Sequence, residues 1–375
     1  MKLRYIHIAF SMLCLFSCRE FYEPEVLEID YGYLVVEGFV EVDGGTSVIK
    51  LGRTTPIYSE ESIRPVNNAV VEVIGAQSGS WRFSNTEESI YELEADLPPD
   101  QEYQLRISIN DREQFESDWL APIIAPPIAS TYFTKDEDGV YIYLDAQGEG
   151  NYFLWTTEET WEFRSWFNAL YRYDNDINDM VPREENINLC YKSEQSDNII
   201  LGSTLGATGG SIKGLEVMRI PTFSEKLGLR YSIEIWQRPI DQRAYEFWES
   251  MRKNSEDIGN IFSPMPSYLE TNINRIGGEE GQVIGFVSAG KSDKKRMFIE
   301  FAEVRPWSVR IPDYNLCTMQ DTIRPPQYQL YFTNLDVQPG LPIISAGRII
   351  GWSYTSTDCV DCRLRGTTEK PDFWD

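Results

Sequence analysis

The stretch YQLRISI, from Tyr103 to Ile109, carries the pattern that decides the fold. Its apolar residues alternate with polar ones, which is the two-residue period of a β-strand with one buried and one solvent-facing side. Similar short runs precede it, separated by clusters of Pro, Asn, Gly or Ser; they are Tyr33–Val42, Val48–Leu51, Ala69–Ile74, Trp81–Phe83 and Tyr91–Leu93. Short strands at this spacing predict an immunoglobulin-like β-sandwich over residues 31–120.

A second series of strands is expected downstream. The segment APIIAPP at residues 121–127 predicts an interdomain linker, because its prolines cannot continue a β-ladder or a helix. The next apolar runs are Ile128–Phe133, Val140–Leu144 and Tyr152–Trp155. Asp and Asn then accumulate between residues 166 and 185, which predicts an inserted acidic surface loop. We therefore expect a fibronectin-like β domain over residues 128–375.

One helix is expected inside this second domain. It follows the strand Arg230–Gln237, has Asp241 as its N-cap, and carries an apolar stripe at three-to-four spacing made of Ala244, Tyr245, Phe247, Trp248 and Met251. The runs Val283–Ala289 and Arg296–Phe301 predict a final strand pair joined by a basic turn. The expected fold class is mainly β: an immunoglobulin-like sandwich, then a fibronectin-like sandwich domain with one helix and an inserted acidic loop.

The N-terminus has the features of an export signal. Residues 1–17 begin with Lys2 and Arg4, continue with a short apolar run and end at Leu-Phe-Ser before Cys18. This ending resembles a bacterial lipobox, in which the cysteine is lipidated and becomes the first residue of the mature chain. Residues 18–30 predict an acidic tether. The alternative is an ordinary secretory signal beside which Cys18 is incidental. No later run has eighteen uninterrupted apolar residues, so the lipid is the only membrane attachment predicted.

Charge and histidine content narrow the functional classes. The chain has 34 Lys+Arg against 59 Asp+Glu and a net charge of −25, which argues against nucleic acid as a partner. Its single histidine, His7, lies in the predicted signal, so the mature chain has none for a Ser-His-Asp triad or a His-ligated metal. Neither a Gly-x-Ser-x-Gly elbow nor a Walker-type loop is present. We expect no enzyme activity, although a carboxylate-based hydrolase remains an alternative.

Four cysteines remain after the predicted signal and lipidation site: Cys190, Cys317, Cys359 and Cys362. An even number in an exported chain predicts two structural disulfides. Their spacing leaves all three connectivities open. Cys359-Val-Asp-Cys362 could instead be a redox pair or half of a metal site, but the βαβ context of a thioredoxin-like motif is missing.

A calcium site is one interpretation of the acidic segment. Asp174, Asp176, Asn178 and Glu185 occupy the first, third, fifth and twelfth positions of a calcium-binding loop. Asp179 stands where such loops have glycine, and flanking helices are not evident. The alternative is a solvated acidic loop without any cofactor.

A cluster of aromatic residues suggests a ligand surface. Trp166, Phe167, Tyr171 and Tyr173 lie beside the acidic segment and could form a sugar- or peptide-binding platform. The earlier part of the same run, around Trp161 and Phe163, fits an ordinary strand at least as well.

Several stretches together match a known pattern; they are Val35–Gly38, Tyr231–Ile233, Ala244–Trp248, Gly259–Pro264, Val283–Phe286, Cys359–Gly366 and Lys370–Trp374. With these motifs the chain resembles the Bacteroidota lipoproteins classed as domain-of-unknown-function family 4249. Members of this family are predicted outer-membrane lipoproteins, commonly encoded beside TonB-dependent transporters. The resemblance implies a transporter accessory protein, assigns no catalytic residues, and supports disulfide roles for all four cysteines.

The sequence thus predicts an outer-membrane lipoprotein that faces outward and binds a ligand or a TonB-dependent transporter. It is expected to be the non-catalytic component of such a system. A structural or adhesive cell-surface protein is the main alternative.

Overall fold

The computed structural model describes residues 32–55, 63–110, 112–148, 151–207, 209–256, 270–277, 283–334 and 336–374. The predicted signal, Cys18 and the tether up to residue 30 lie outside the described residues, as does the family-like stretch 259–264. No helix among the described residues has the length and apolar character needed to cross a membrane.

The described chain is mainly β, as predicted. The strands of its first half are β1 Leu34–Glu41, β2 Thr46–Thr54, β3 Ile63–Pro65, β4 Ala69–Gly75, β5 Ser80–Arg82, β6 Ser84–Glu87, β7 Ile90–Glu94, β8 Tyr103–Ile109, β9 Glu113–Ser117, β10 Ile123–Ile124, β11 Ser130–Lys135, β12 Gly139–Gln147 and β13 Tyr152–Arg164. The remaining strands are β14 Tyr171–Asp174, β15 Asp179–Pro182, β16 Leu189–Gln195, β17 Ile200–Ser203, β18 Ser211–Pro221, β19 Arg230–Ile240, β20 Ile273–Ile276, β21 Val283–Lys291, β22 Asp293–Glu300, β23 Gln320–Ile323, β24 Val337–Ser345 and β25 Arg348–Ser356. Two α-helices are described, α1 Gln242–Glu256 and α2 Tyr328–Phe332.

Two sheets pack around the first core. One has the strand order β10-β21-β1-β2-β7-β6, with β3 attached to β2, and the other has the order β20-β9-β8-β4-β5. The predicted alternation of β8 is confirmed, because Tyr103, Leu105, Ile107 and Ile109 are buried while the intervening polar residues are not. They share one core with Ile49 of the other sheet, so this region is a two-sheet sandwich.

The first sandwich extends beyond the predicted range of residues 31–120. β21 runs parallel to β1, and β20 continues the other sheet beside β9. The predicted linker at 121–127 contains β10, which pairs with the end of β21. The division into domains over 31–120 and 128–375 therefore needs correction. Local patterning identifies strands but not partners that lie far away in the sequence.

The second sandwich packs the sheet β11-β12-β18 against the sheet β16-β13-β19-β22, with β17 also beside β13. Trp161 and Phe163 of β13 are buried in its core, as the strand interpretation predicted. Glu159 faces the same way, and its carboxylate accepts hydrogen bonds from the Lys226 ammonium at 2.9 Å and the Tyr231 hydroxyl at 2.7 Å. Burial raises the pKa of that tyrosine, and the nearby carboxylate raises it further.

The chain passes from one sandwich to the other at Ser292. β21 and β22, predicted as a strand pair, belong to different sheets, because β21 pairs with β1 and β22 pairs with β19. Glu41 fixes the crossing, since its carboxylate accepts hydrogen bonds from the Ser292 backbone N–H at 2.6 Å and from the Ser292 hydroxyl at 2.8 Å. Burial raises the pKa of Glu41 despite these hydrogen bonds and the nearby Arg238.

The predicted helix, α1, covers the same junction. The Asp241 carboxylate accepts the backbone N–H of Ala244 at 2.7 Å, which confirms the predicted N-cap. Ala244 and Phe247 are buried in one cluster with Ile240 of β19 and Phe286 of β21. The apolar stripe of this helix is therefore core, and it contacts strands of both sandwiches.

A further part of the fold was not predicted. We call it the C-terminal unit: the sheet β23-β25-β24, helix α2, and the hairpin β14–β15. The hairpin occupies much of the expected acidic loop, and its Tyr171 ring lies 4.5 Å from that of Trp352. Apolar side chains from Tyr328 and Phe332 of α2 complete this small core. The segment 166–185 is thus part of a packed layer.

The end of the chain is anchored on the second sandwich. The Trp374 indole N–H donates to the Glu162 carboxylate at 2.8 Å. Its ring contacts those of Tyr191 and Phe298, with centroids 5.5 and 5.6 Å away. Trp374, the last residue of the Pro-Asp-Phe-Trp segment, is therefore buried and fastens this segment to the second sandwich; we call these contacts the Trp374 clasp.

Candidate functional site

The C-terminal unit contains a cleft of about 760 Å³. Its walls come from the β14–β15 hairpin, α2, β24 and the turns around the last two cysteines. The lining combines the Tyr173 and Phe332 rings with charged side chains of both signs. Clefts of this size with a few positioned polar groups are the usual form of small-ligand sites.

Arg183, at the end of β15, supports one wall of this cleft. Its guanidinium donates to the Glu185 carboxylate at 3.0 Å and to the Gln338 side-chain oxygen at 2.7 Å. It also donates to the backbone carbonyls of Ala169 at 3.2 Å and Tyr171 at 3.3 Å. Burial lowers the pKa of this guanidinium. The side chain thereby ties the hairpin to β24 in one orientation.

Asp361 and Arg363 form another part of the cleft wall and are joined to Arg183 through Glu185. The guanidinium of Arg363 donates to both carboxylate oxygens of Asp361, at 2.9 and 2.7 Å, and the Arg363 backbone N–H donates at 3.0 Å. Burial alone would raise the pKa of Asp361, but these hydrogen bonds outweigh it and the pKa lies below its ordinary value. An ion-paired carboxylate with a lowered pKa is a poor general base at neutral pH.

Replacing Asp361 by Asn is expected to destabilise this wall. The variant loses a charge-assisted N-cap and leaves Arg363 without its bidentate partner, so the free energy of unfolding should fall by about 1–2 kcal/mol at pH 7. Because the folded-state pKa is lowered, the wild-type advantage is full above the ordinary value of 3.8 and is lost as the pH falls through the folded-state pKa.

Urea unfolding of both proteins at pH 7 and at pH 2 measures this difference. Asp138→Asn is the matched control. That carboxylate is exposed, and its contact with Arg219 is long, at 4.0 Å. Its effect should stay within about 0.5 kcal/mol. An Asp361→Asn effect equal to that of the control, or one that grows on acidification, would contradict the assignment.

The four cysteines form two disulfides, Cys190–Cys362 and Cys317–Cys359. The prediction of two structural disulfides is confirmed, and the structure selects one of the three connectivities. Cys359 and Cys362 bond to different partners, so they do not form a redox pair with each other. Both bridges hold the turns that border the cleft.

The calcium interpretation is wrong in this structure. Asp174 and Asp179 pair across the β14–β15 hairpin, whose turn includes Asp176 and Asn178. The Glu185 carboxylate instead contacts Arg183 and also Arg363, the latter at 3.6 Å. The described residues contain no group of three or more His, Cys, Asp or Glu side chains that could hold a metal. Residues at the spacing of a calcium loop therefore do not by themselves form a calcium-binding loop, and here they belong to a hairpin and the residues after it.

The predicted aromatic platform is only partly present. Trp166 is 55% exposed. Phe167 packs against two small apolar clusters, while Tyr171 and Tyr173 pack against the core of the C-terminal unit. Of the four residues, only Tyr173 lines the cleft. They do not form one continuous exposed face, because three of them contribute to packing.

Sequence reasoning missed the charged residues of the cleft, above all Arg183, Gln338, Asp361 and Arg363. The contacts of Arg183 with Gln338 and of Arg363 with Glu185 join segments more than a hundred residues apart, so no local spacing reveals that these residues meet. One local signal was available: an acidic residue two positions before an arginine, inside a disulfide-bonded turn, is typical of a capped turn.

These features define a class: a mainly β protein of several packed sheets, cross-linked by two disulfides and carrying a cleft in its C-terminal unit. The chain belongs to the family described as Domain of unknown function (DUF4249), whose model matches residues 19–296. The match ends before the terminal Cys-x-x-Cys and Pro-Asp-Phe-Trp segments, so it does not include these two of the stretches that carry the resemblance.

Comparisons with curated proteins and solved structures do not assign a function to the chain. No curated protein matches the chain. Among solved structures, a two-domain fibronectin type-III segment of chicken tenascin is similar over 55% of this chain and 94% of its own, with 9% identity. Its TM-score of 0.14 is too low to carry an argument.

Proposed function

We propose that this protein is an outer-membrane lipoprotein that acts as a non-catalytic accessory or ligand-binding component of a TonB-dependent transport system. The cleft of the C-terminal unit carries the proposal. Four of its charged side chains, those of Arg183, Glu185, Asp361 and Arg363, are fixed by one another. This part of the surface is organised before a ligand arrives, which lowers the entropic cost of binding. Its paired charges and two aromatic rings suit a small polar ligand with both donors and acceptors.

Two further observations support export and anchoring. The lipobox-like residues before Cys18 would place a lipid at the start of the mature chain. All four remaining cysteines are oxidised in the structure, as expected for a protein that folds outside the reducing cytoplasm. The transporter partner rests on the resemblance described above.

The state of the carboxylates in the cleft supports a binding role. Glu185 contacts two arginines, and Asp361 is held in a bidentate ion pair. Carboxylates held as the anions of ion pairs serve recognition better than proton transfer.

We also infer the finer fold assignment proposed from the sequence, with an immunoglobulin-like first sandwich and a fibronectin-like second one. Two packed sheets with alternating buried residues support it in both cases. The parallel pairing of β1 with β21 is an addition to the usual antiparallel arrangement.

Affinity purification from detergent-extracted membranes tests the proposed function. A tag inserted after Glu137, in the exposed turn between β11 and β12, avoids both the lipidated end and the buried Trp374. We expect a TonB-dependent barrel to co-purify with the tagged protein. Cys18→Ser, which removes the lipidation site, should lower the share of the protein in the membrane fraction and lose the barrel. A wild-type protein that emerges alone and monomeric would remove the main support.

A further inference from the structure

The tip of the β24–β25 hairpin is unusually apolar for this acidic protein. Between Val337 and Thr357 the chain carries one charged side chain, Arg348, and no carboxylate. Leu341, Ile344 and Ile349 in this segment are 59%, 64% and 53% exposed. Clustered exposed apolar residues mark interaction surfaces more often than isolated ones.

The hairpin geometry places these side chains at a projecting end. Ala346 and Gly347 connect the strands with φ of 49° and 78°, as in a tight two-residue turn. Ile344 and Ile349 lie directly opposite each other, so they share one face. Residues 344–350 are all exposed, so neither face of the tip is covered by the rest of the described chain.

Because both faces of the tip are exposed, the candidate occupants can be distinguished by how much of the tip each would cover. A groove on another protein would cover one face of the tip, whereas a bilayer surrounds an inserted tip on both faces. A second copy would bring together two strongly acidic proteins. Arg348 pairs with Ser345 beside the turn, and its guanidinium makes no ion pair with any residue in the described part of the chain. A long arginine side chain can lay its stem among acyl chains while its guanidinium reaches back to the lipid phosphates.

We propose that this hairpin tip, residues 341–350, inserts into a phospholipid bilayer as a second membrane attachment. The inference rests on the lipid anchor of the proposed function, since the anchor brings the tip to the membrane. The chain from Cys18 to Gly32 spans about 14 residues and reaches at most about 50 Å. That reach is more than twice the radius of gyration of about 20 Å expected for a chain of this size, so a distant tip can meet the surface.

The dimensions of the hairpin suit insertion at the interface. Four residue steps along a strand, as from Leu341 to Ser345, cover about 13 Å. Interfacial elements bury their apolar side about 5–10 Å into the boundary between headgroups and acyl chains. The tip is therefore long enough to place Ile344 and Ile349 below the headgroups.

Vesicle co-sedimentation of the chain from Arg19 to Asp375, which lacks the lipidated cysteine, tests the tip by itself. The probe is a vesicle of phosphatidylethanolamine and phosphatidylcholine. Because lipidation and the transporter are absent, failure of the proposed function would leave this result unaffected. We expect binding, and we expect Ile344→Ser with Ile349→Ser to lower the partition coefficient by at least tenfold with an unchanged circular dichroism spectrum.

The matched control is Leu205→Ser with Leu316→Ser, which removes two exposed apolar residues elsewhere and should change binding less than twofold. Arg348→Glu leaves the apolar residues in place and should weaken binding several-fold. Absence of wild-type binding, or equal losses in tip and control variants, would overturn the proposal. So would a concentration-dependent dimer that disappears in the tip variant, because the occupant would then be a second copy.

Discussion

Gly285→Ala is expected to lower the free energy of unfolding by about 3 kcal/mol or more. Gly285 lies in β21 with φ of 147°, and an added Cβ would overlap the backbone carbonyl oxygen of Val36 in β1. The atoms that the added Cβ would meet all belong to the Val36 backbone, so no side chain can move aside to relieve the overlap. The two strands must separate or shift.

The consequence would reach both sandwiches. β21 joins the first sandwich by its parallel pairing with β1, and its next residue, Phe286, packs against α1. Separation of β21 from β1 therefore exposes the edge of one sheet and loosens the helix at the junction. Hydrogen exchange should increase at the backbone amides of β1 as well as those of β21.

Urea unfolding and hydrogen exchange measure these effects, with Gly206→Ala as the control. Gly206 also has a positive φ, 74°, but an added Cβ there meets nothing within 4 Å. Its cost should be only the conformational one, about 1–2 kcal/mol. Similar losses in both variants would show that the close approach of β21 to β1 is not a feature of the folded protein.

The same pairing shows what a sequence can and cannot predict. The alternation in β8 and the stripe of α1 follow from periods of two and 3.6 residues, and both were identified with the correct buried faces. The partner of β1 lies about 250 residues downstream, where its run of apolar residues looks like half of a local hairpin. Period identifies a strand, but only tertiary packing chooses its neighbour.

The calcium site was predicted wrongly for a related reason. The spacing of Asp174, Asp176, Asn178 and Glu185 matches a calcium loop, but arginines supply the positive charge that a calcium ion would bring to Asp174 and Glu185. Glu185 contacts Arg183 and Arg363, and Arg172 lies 3.3 Å from the Asp174 carboxylate. A spacing pattern describes the anions alone, and it cannot report which cations the fold brings to them.

Removing the Cys190–Cys362 disulfide, with serine at both positions, should have an effect of similar size. The bridge spans 172 residues, and the chain-entropy relation gives a stabilisation of about 5 kcal/mol for such a loop, within the measured range for native disulfides of about 2–5 kcal/mol. Both cysteines are buried in the core of the second sandwich. Serine hydroxyls there would add a cost for burying polar groups.

This bridge should matter for the cleft as well as for stability. Cys362 begins the turn that carries Arg363, and the Arg365 guanidinium a few residues on contacts Glu225 at 2.7 Å on the second sandwich. Without the disulfide, only noncovalent contacts would hold the end of the chain, among them the Arg365–Glu225 pair, the Tyr191–Thr367 β-bridge and the Trp374 clasp. We therefore expect protease cleavage after Arg363 or Arg365 under conditions in which the wild type is resistant.

Cys317→Ser with Cys359→Ser is the matched control, because its bridge closes a loop of 42 residues inside the C-terminal region. The same relation gives about 4 kcal/mol for this loop. The two variants should therefore lose similar free energies of unfolding, whereas their cleavage patterns should differ. Losing the shorter bridge should leave the end of the chain docked, because Cys362, Arg365 and Trp374 keep their partners on the second sandwich. Tryptic mapping under native conditions distinguishes the two variants. Equal protection of the 363–375 segment in both would mean that the clasp, and not the disulfide, holds the wall of the cleft in place.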